Sequence, residues 1–368
     1  MRLVLLTILL ALASCDTKID STGDPVIEGD TDTDTDSDSD TDTDSDTDSD
    51  TDADADADTD ADADTDPVDR DGDGWPEETD CNDEDALIHP EAEEVGWDDI
   101  DQDCDGEDMQ LPWVAVSTNN TCVVHQDGTM ECKGLDSSGL ASVPSGNQWR
   151  QVSMESAGGT TACALDSSGS VVCWGGCQGS LCNPPSDAFV SVDMGAGHAC
   201  GLLPSGQSRC WGSSYYGETD LGNGPWIDIS TGLYTTCAVD PSGAMSCSGD
   251  DSKGVTTPPL ISEPWRSVSL GNYLACGIGD GGDLYCWGEN EIYGTESLTV
   301  GNHLSVSAGY YGRCYLTVSG EASCSGVGPG SFGSGFSMIE TGQAHVCGIR
   351  SGSDIACFGT CDYDQCTW

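Results

Sequence analysis

Cysteine pairs spaced ten residues apart recur seven times and constrain the fold more than any other feature of this sequence. The pairs are Cys122 and Cys132, Cys163 and Cys173, Cys200 and Cys210, Cys237 and Cys247, Cys276 and Cys286, Cys314 and Cys324, and Cys347 and Cys357. A glycine follows the second cysteine by two places in every copy, and six copies also place a glycine six residues after the first cysteine. A period of 33–41 residues with fixed internal spacing indicates tandem copies of one supersecondary unit.

The second copy shows what this spacing requires. Its Asp-Ser-Ser-Gly-Ser segment suits a three-residue hairpin loop that closes with a left-handed glycine. Asp166 then pairs with Ser170, which places Cys163 opposite Cys173 in a non-hydrogen-bonded pair, close enough for a disulfide. Zinc is the competing use of paired cysteines, but zinc ligands usually come in fours and no histidine spacing supports it. We predict seven hairpin disulfides.

Each copy opens with a ring-bearing residue that is followed three places later by Val or Ile. These pairs are Trp113 with Val116, Trp149 with Val152, Phe189 with Val192, Trp226 with Ile229, Trp265 with Val268, His303 with Val306 and Phe336 with Ile339. A three- or four-stranded unit of this size cannot bury both faces alone, whereas seven units packed around an axis can. No capping repeats of a linear solenoid are visible. We expect an all-β, seven-bladed β-propeller over residues 110–368.

Several phrases within the copies resemble the regulator-of-chromosome-condensation (RCC1) repeat. They are Met194–Leu202 (MGAGHACGL), Cys210-Trp211-Gly212, Cys163-Ala164-Leu165, Cys173-Trp174-Gly175 and Cys286-Trp287-Gly288. The resemblance implies a short-bladed propeller in which the motif histidines, His198 and His345, have a packed structural role rather than a ligand role. It does not extend to nucleotide exchange, because no residue here matches a known exchange motif.

Two copies carry an additional cysteine pair, Cys177 with Cys182 and Cys361 with Cys366, each beginning four residues after the preceding cysteine. We expect these pairs to cross-link the outgoing loops of blades two and seven. A zinc site with three cysteines apiece is the alternative. The density of cysteines indicates an oxidising compartment outside the cytosol.

The first 66 residues have the composition of a targeting segment and a spacer. Arg2 and the ten-residue apolar run Leu3–Leu12 fit a signal peptide (residues 1–14), and Leu12-Ala13-Ser14-Cys15 resembles a bacterial lipobox. Lipidation of Cys15 would leave 20 of the 21 cysteines to pair. An ordinary secretory signal is the alternative. Residues 15–66 follow as lipid anchor and linker, in which every even position from Asp30 to Asp66 is Asp, and like-charge repulsion predicts a disordered, extended stalk.

Residues 67–109 form a different acidic module. Asp69, Asp71, Asp73, Glu77 and Asp80 stand at positions one, three, five, nine and twelve of a loop that could bind calcium through oxygen ligands. The preceding chain is spacer and position twelve is Asp, so this loop is not an EF-hand. Further candidate ligands follow in two more acidic groups, namely Asp83 and Asp85, then Asp99, Asp101 and Asp103.

This module resembles an acidic metal-binding repeat of large bacterial surface proteins. Gly96 stands where many members have a third cysteine, so the resemblance implies that Cys81 pairs with Cys104. The family is linked by name to copper, which prefers His, Cys or Met ligands, so an oxygen-only set favours calcium. A solvated acidic run and another metal are the alternatives. Structural Ca²⁺ is the cofactor that we predict.

The signals for catalysis are absent from the sequence: the chain has five histidines, no G-x-S-x-G, no H-E-x-x-H and no phosphate-binding loop. We predict an exported, membrane-anchored, non-catalytic binding protein at the cell surface or in the periplasm. A hydrolase or lyase with its site in the central channel, and a purely structural envelope protein, are the alternatives. Scattered propeller acids such as Asp228 are interpreted as solvated surface.

The turns before the first cysteines and the loops after the second cysteines must lie on one propeller face. Seven of the ten tyrosines fall there: Tyr234, Tyr273, Tyr310, Tyr311, Tyr215, Tyr216 and Tyr293. Tyrosine is enriched in binding hot spots, so we predict that this face contacts a protein or a glycan. Some of these rings could instead pack between blades. A net charge of −56 argues against nucleic acid as a partner. We expect a monomer.

Overall fold

A computed structural model of the chain describes residues 68–92, 101–104, 111–146, 148–155, 158–289, 297–327, 330–350 and 353–368. The predicted signal peptide, Cys15 and the Asp-rich linker lie outside these residues. The described residues form strands and turns, and none of their segments is a helix that is long and apolar enough to cross a membrane.

The strands form seven antiparallel sheets, each with an inner, a middle and an outer strand in chain order. The inner strands are β1 (Trp113–Val116), β4 (Trp149–Met154), β7 (Ser191–Met194), β10 (Asp228–Thr231), β13 (Trp265–Leu270), β17 (His303–Ala308) and β21 (Phe336–Thr341). The middle strands are β2 (Asn120–Val124), β5 (Thr161–Asp166), β8 (His198–Leu202), β11 (Thr235–Val239), β14 (Leu274–Gly279), β18 (Arg313–Thr317) and β22 (His345–Arg350).

The outer strands are β3 (Met130–Gly134), β6 (Val171–Gly175), β9 (Ser208–Gly212), β12 (Met245–Gly249), β15 (Leu284–Gly288), β19 (Ala322–Ser325) and β23 (Ile355–Gly359). Blades five and six have a fourth strand, β16 (Ser297–Thr299) and β20 (Ser331–Gly333). The inner strands contact one another in cyclic order, and β21 of the last blade contacts β1 of the first. The predicted all-β, seven-bladed propeller is therefore confirmed.

The hairpin register is the one that the cysteine spacing predicts. In all seven blades the two cysteines lie directly opposite each other on the middle and outer strands. Their Cα atoms are 4.0 to 4.1 Å apart, as expected for a non-hydrogen-bonded pair. The seven predicted hairpin disulfides are all present, namely Cys122–Cys132, Cys163–Cys173, Cys200–Cys210, Cys237–Cys247, Cys276–Cys286, Cys314–Cys324 and Cys347–Cys357.

The two cysteines of each hairpin differ in burial. All seven first cysteines are completely buried. Among the second cysteines, Cys132 and Cys286 are buried, whereas the others, such as Cys247 and Cys324, are partly buried. Each hairpin disulfide therefore extends from the core between two blades toward the outer strand.

The other three predicted disulfides are also present. Cys177–Cys182 and Cys361–Cys366 close the outgoing loops of blades two and seven, and Cys81–Cys104 cross-links the acidic module. All 20 cysteines after Cys15 are therefore paired. Ten disulfides indicate that the chain matures in an oxidising, exported location.

Hairpin turns depend on one left-handed residue in each blade. Six of these residues are glycines, and the seventh is Ser353, which adopts the same conformation with φ of 69°. The glycine two residues after each second cysteine is required for a different reason, namely the close approach of another backbone segment. A Cβ atom on Gly249 would lie 2.1 Å from the Tyr234 carbonyl oxygen, because the outer strand ends against the turn that precedes the middle strand.

Neighbouring blades pack through apolar side chains and through the tryptophans of the C-W-G phrases. Leu165 of blade two, for example, lies in one buried cluster with Val192 and Met194 of blade three. The indole N–H of each tryptophan donates to a carbonyl in the outgoing loop of the preceding blade: Trp174 to Leu140 (3.0 Å), Trp211 to Leu181 (2.8 Å) and Trp287 to Val255 (2.8 Å). Each such tryptophan fixes one loop to the next blade.

The sequence interpretation of blade one was wrong by two residues. Ala115 lies opposite the first cysteine of blade one, Cys122, just as Asp193 lies opposite the first cysteine of blade three, Cys200. The residue of blade one that corresponds to Val192 is therefore Val114, not Val116. Trp113 pairs in the inner strand without a following bulge. The ring residues of the other blades either precede a bulge in the strand or precede the strand itself. The ring-to-Val spacing is therefore not preserved in blade one.

Candidate functional site

The acidic module brings the first three predicted ligands together. Carboxylate oxygens of Asp69, Asp71 and Asp73 lie within 4.8 Å of one another. The loop closes through Asp69, which accepts hydrogen bonds from the backbone N–H groups of Gly72 (2.7 Å) and Gly74 (3.1 Å). Both glycines have positive φ angles, which explains their place in the motif.

The charge of Asp80 also acts on this group. Burial, followed by the charges of Asp73, Asp80 and Asp69, raises the pKa of Asp71. One carboxylate oxygen each of Asp71, Asp73 and Asp80 is buried and accepts no hydrogen bond from the described residues. Buried carboxylate oxygens without donors are costly unless a cation offsets their charge. These three oxygens therefore fit a bound metal ion.

The remaining predicted ligands have other partners. Glu77 is exposed and pairs with Arg70 at 3.0 Å, and Asp83 is buried with Arg70 at 3.4 Å. Asp85 is exposed and accepts from the Leu87 N–H (3.3 Å). Asp101 and Asp103 are partly buried beside Cys104, and Asp99 lies outside the described residues. Of the ten predicted ligands, Asp69, Asp71 and Asp73 are those whose carboxylates the structure brings together, and the charge of Asp80 acts on Asp71.

Copper does not fit these donors. Both sulfurs of the module are oxidised in the Cys81–Cys104 disulfide. The ring of His89 stacks on Trp75 with centroids 6.3 Å apart, and its Nδ1 contacts the Pro90 carbonyl (2.9 Å). The oxygens of the aspartate group are hard ligands, which suit calcium or magnesium better than copper.

A second polar region surrounds the central channel, a cavity of about 340 Å³ that the seven inner strands line. The residue opposite each first cysteine is Ser, Asp or Glu in six blades and Ala115 in blade one. We call these six residues the channel ring: Ser153, Asp193, Ser230, Ser269, Ser307 and Glu340.

Five channel-ring residues each accept a hydrogen bond from a backbone N–H in the inner strand of the next blade. The bonds run from Met194 to Ser153 (3.0 Å), Thr231 to Asp193 (2.7 Å), Leu270 to Ser230 (3.0 Å), Ala308 to Ser269 (2.9 Å) and Thr341 to Ser307 (2.9 Å). Asp228, interpreted above as solvated surface, does the same for Val268 (2.8 Å). For Asp228 that interpretation was wrong, because its carboxylate satisfies the edge of the next inner strand.

The two acids of the channel ring have raised pKa values. Burial raises the pKa of Asp193, and donors from Thr231, Ser153, Met194 and Ser230 oppose this shift. Burial, together with the charge of Asp193, raises the pKa of Glu340 to about 8, although Glu340 accepts a hydrogen bond from the Ser307 hydroxyl (2.9 Å). Both acids accept hydrogen bonds from serine hydroxyls, and Asp193 also accepts one from the backbone N–H of Thr231.

The motif histidines have the packed role that the resemblance implies. His198 and His345 are fully buried, and their Nε2 atoms bond to Thr236 (3.0 Å) and Thr121 (2.9 Å) of the next blade. The second bond joins the last blade to the first. Burial lowers the pKa of each histidine to about 4, so their contribution to stability is lost as the pH falls from 6.5 through 4.

Three of the predicted partner-binding residues form what we call the tyrosine cluster: Tyr215, Tyr216 and Tyr234. The ring of Tyr216 lies 4.9 Å from that of Tyr215 and 4.9 Å from that of Tyr234, which belongs to the next blade. Tyr215 and Tyr216 are exposed. Desolvation raises the pKa of Tyr216. The nearby charges of Asp250, the two other cluster tyrosines and Tyr273 raise it further.

The other predicted tyrosines differ in exposure. Tyr273 is 36% exposed, and Tyr310 and Tyr311 are partly buried with their rings 4.4 Å apart. Tyr293 lies outside the described residues. The alternative of packing between blades therefore applies in part to Tyr310 and Tyr311.

A buried carboxylate positions the loop of the tyrosine cluster. Glu218 accepts from the N–H groups of Tyr215 (3.2 Å) and Tyr216 (2.6 Å) and from the Ser213 hydroxyl (2.9 Å). Although burial acts to raise it, these donors lower the pKa of Glu218 below its usual range. Gln365 takes this role in blade seven by accepting from the Tyr363 N–H (2.8 Å).

Sequence reasoning missed both Tyr363 and the channel ring. Tyr363 follows Cys357 by six residues, as Tyr216 follows Cys210, so the signal was an equal spacing from the second cysteine. The signal for the channel ring was a Ser, Asp or Glu immediately after the Val or Ile of six blades.

The fold and these sites together define a disulfide-rich, seven-bladed β-propeller that is preceded by an acidic metal-binding motif. The sequence profile of the "Regulator of chromosome condensation (RCC1) repeat" matches residues 189–218, and that of the "Putative metal-binding motif" named Cu-binding_MopE matches residues 80–108. Among curated proteins, none matches the sequence of this chain.

Solved structures show the same propeller fold. The ectodomain of the receptor kinase ACR4 from Arabidopsis thaliana is 22% identical, with a TM-score of 0.55 over 68% of this chain and 95% of that chain. The ectodomain of the receptor kinase CR4 from Physcomitrella patens is 21% identical, with a TM-score of 0.55 over 68% and 74%. Prp20p from Saccharomyces cerevisiae is 14% identical, with a TM-score of 0.50 over 62% and 80%.

The raised pKa of Glu340 predicts how the propeller responds to pH. Folded Glu340 binds its proton more tightly than the unfolded chain does, so its contribution to stability is fully present below pH 4.5 and is lost as the pH rises through about 8. Glu340→Gln, which mimics the protonated form, should raise the melting temperature at pH 8.5 and have little effect at pH 4.5. The exposed Glu321→Gln is the control. A lower melting temperature for Glu340→Gln at both pH values would contradict this account.

Proposed function

We propose that this protein is an exported, lipid-anchored binding protein without catalytic activity. In this proposal Cys15 carries the lipid, the Asp-rich linker extends the chain from the membrane, and the propeller presents a docking face. The observation that carries the proposal is the exposed tyrosine cluster, which two neighbouring blades build on one face. Exposed aromatic groups of this kind are typical of interaction surfaces.

Two further observations support binding over catalysis. The acids that line the channel bond to serine hydroxyls and backbone N–H groups, which accounts for them without a reaction. Propellers of related fold also act as binding proteins, since Prp20p is described with its binding to Gsp1p and histones. A protein partner at the tyrosine face is therefore the role that we favour.

We also propose that the acidic module binds calcium as a structural ion. Asp69, Asp71, Asp73 and Asp80 would supply its ligands, because the oxygens of the first three converge, and one oxygen each of Asp71, Asp73 and Asp80 is buried without a donor. A bound cation would offset the mutual repulsion of these carboxylates and so order the loop. The closest control within the module is Asp85, which is exposed outside this group.

Terbium luminescence tests the calcium site in the full chain. Trp75 follows Asp73 closely and should sensitise Tb³⁺ bound there, whereas the linker contains no tryptophan. Tb³⁺ emission should appear in the wild type and in Asp85→Asn, should be lost in Asp73→Asn, and should be displaced by Ca²⁺. Equal emission from Asp73→Asn and Asp85→Asn, or no displacement by Ca²⁺, would refute the site.

Site-specific photo-crosslinking tests the docking face. A benzophenone amino acid at position 215, where the native side chain is 84% exposed, should give discrete adducts in the cells that produce the protein. The same group at Ser205, an exposed position in the hairpin turn between β8 and β9 on the opposite face, is the control and should give none. Adducts from position 205 alone, or equal adducts from both positions, would show that the face is wrongly assigned.

A further inference from the structure

We propose that the tyrosine cluster binds an arginine or lysine side chain from a basic segment of a partner protein. This inference rests on the proposed docking face and specifies the chemistry of its occupant. Three features of the described residues support this proposal. They are the geometry of the rings, the negative charge beside them, and a lysine of this chain that already contacts a tyrosine ring on the same face.

The rings are accessible and inclined to one another. The exposed fraction is 84% for Tyr215, 46% for Tyr216 and 36% for the adjacent Tyr273. The ring planes of Tyr215 and Tyr216 meet at 78°, and those of Tyr216 and Tyr234 at 40°. The rings contact one another at an angle and do not form one flat platform. A cationic head group can lie over the exposed face of a single ring, whereas stacking of a sugar needs a flat aromatic surface.

A carboxylate is fixed beside the cluster. The backbone N–H of Asp250 donates to the backbone carbonyl of Tyr234 (2.9 Å), and the charge of Asp250 acts on the hydroxyl of Tyr216. Its carboxylate accepts from the N–H and the hydroxyl of Ser252 (both 2.9 Å), so the charge is held in one position. Residues 110–368 carry 24 acidic and 7 basic side chains, which favours a cationic partner and disfavours an acidic one.

Lys253 shows this mode of binding within the chain itself. Its Nζ atom lies 5.7 Å from the centroid of the Tyr273 ring and 2.5 Å from a carboxylate oxygen of Glu289. A cation over a tyrosine ring with a carboxylate beside it is the arrangement that we infer for the incoming side chain at Tyr216 and Asp250. The two positions belong to the same face, since Lys253 follows β12 and Tyr216 follows β9.

The test uses the full chain and an acetylated, amidated hexa-arginine peptide that carries a photo-crosslinker. The Asp-rich linker will also attract this peptide, so binding must be read locally. The yield of adducts on residues 213–220 and 234–250, measured against peptide concentration, gives the dissociation constant at the cluster. The variants are Tyr216→Ala, Tyr216→Phe and Asp250→Asn. Tyr363→Ala is the matched control, because Tyr363 has the equivalent loop position and is 45% exposed.

Tyr216→Ala should weaken local binding by about threefold to tenfold, because a cation–π contact is lost. Tyr216→Phe keeps the ring and should stay within about twofold of the wild type. Asp250→Asn should weaken binding by about twofold to fivefold and reduce its salt dependence. Tyr363→Ala should change nothing. Melting curves of the variants report whether each one is folded, and Asp250→Asn preserves the test if Tyr216→Ala is not.

Two results would overturn the inference. Adducts confined to residues 30–66, or equal affinities for Tyr216→Ala, Asp250→Asn and Tyr363→Ala, would show that the cluster does not bind cations. If Tyr216→Ala instead abolished binding of a neutral glycan while peptide binding stayed unchanged, the docking face would stand and its occupant would be a carbohydrate. Loss of the docking face itself would appear in the crosslinking from position 215.

Discussion

Among the residues that the structure describes, no strand pairs with the channel-facing edge of the seven inner strands, so the backbone N–H groups of that edge need other acceptors. Five channel-ring residues supply such acceptors to the inner strand of the next blade. Ser153, Asp193, Ser230, Ser269 and Ser307 each bond to a backbone N–H of the next inner strand at 2.7 to 3.0 Å. Blades two to six therefore each complete the hydrogen bonding of the next blade, which couples neighbouring blades around the channel.

This arrangement separates the frame of the propeller from its variable loops. The hairpin disulfides and the channel ring lie within or between the sheets, while the outgoing loops extend from one face and differ between blades in length and composition. One buried polar side chain can position such a loop, as Glu218 does for Tyr215 and Tyr216 and Gln365 does for Tyr363. A binding surface can then change without loss of the frame.

Much of this frame could be predicted from the sequence because it depends on local spacing. The distance between paired cysteines and the turn glycine determine the hairpin register, and seven copies determine the ring. The spacing of acidic residues predicted only part of the ligand group in the acidic module, since Glu77 and Asp83 pair with Arg70 instead. The role of Asp228 could not be read from composition, because its acceptor function depends on the position of Val268 in another blade. A contact between two residues that are 40 positions apart in different blades leaves little signal in the local sequence.

Hydrogen exchange of single backbone amides tests the central claim, that side chains of one blade satisfy the inner edge of the next. The amides of Met194, Thr231, Leu270, Ala308 and Thr341 should be protected as well as those of the middle strands. In Ser269→Ala, the amide of Ala308 should exchange at least about tenfold faster while the other four change little, because one buried donor loses its acceptor. Fast exchange of all five amides in the wild type, as at an open sheet edge, would contradict the account.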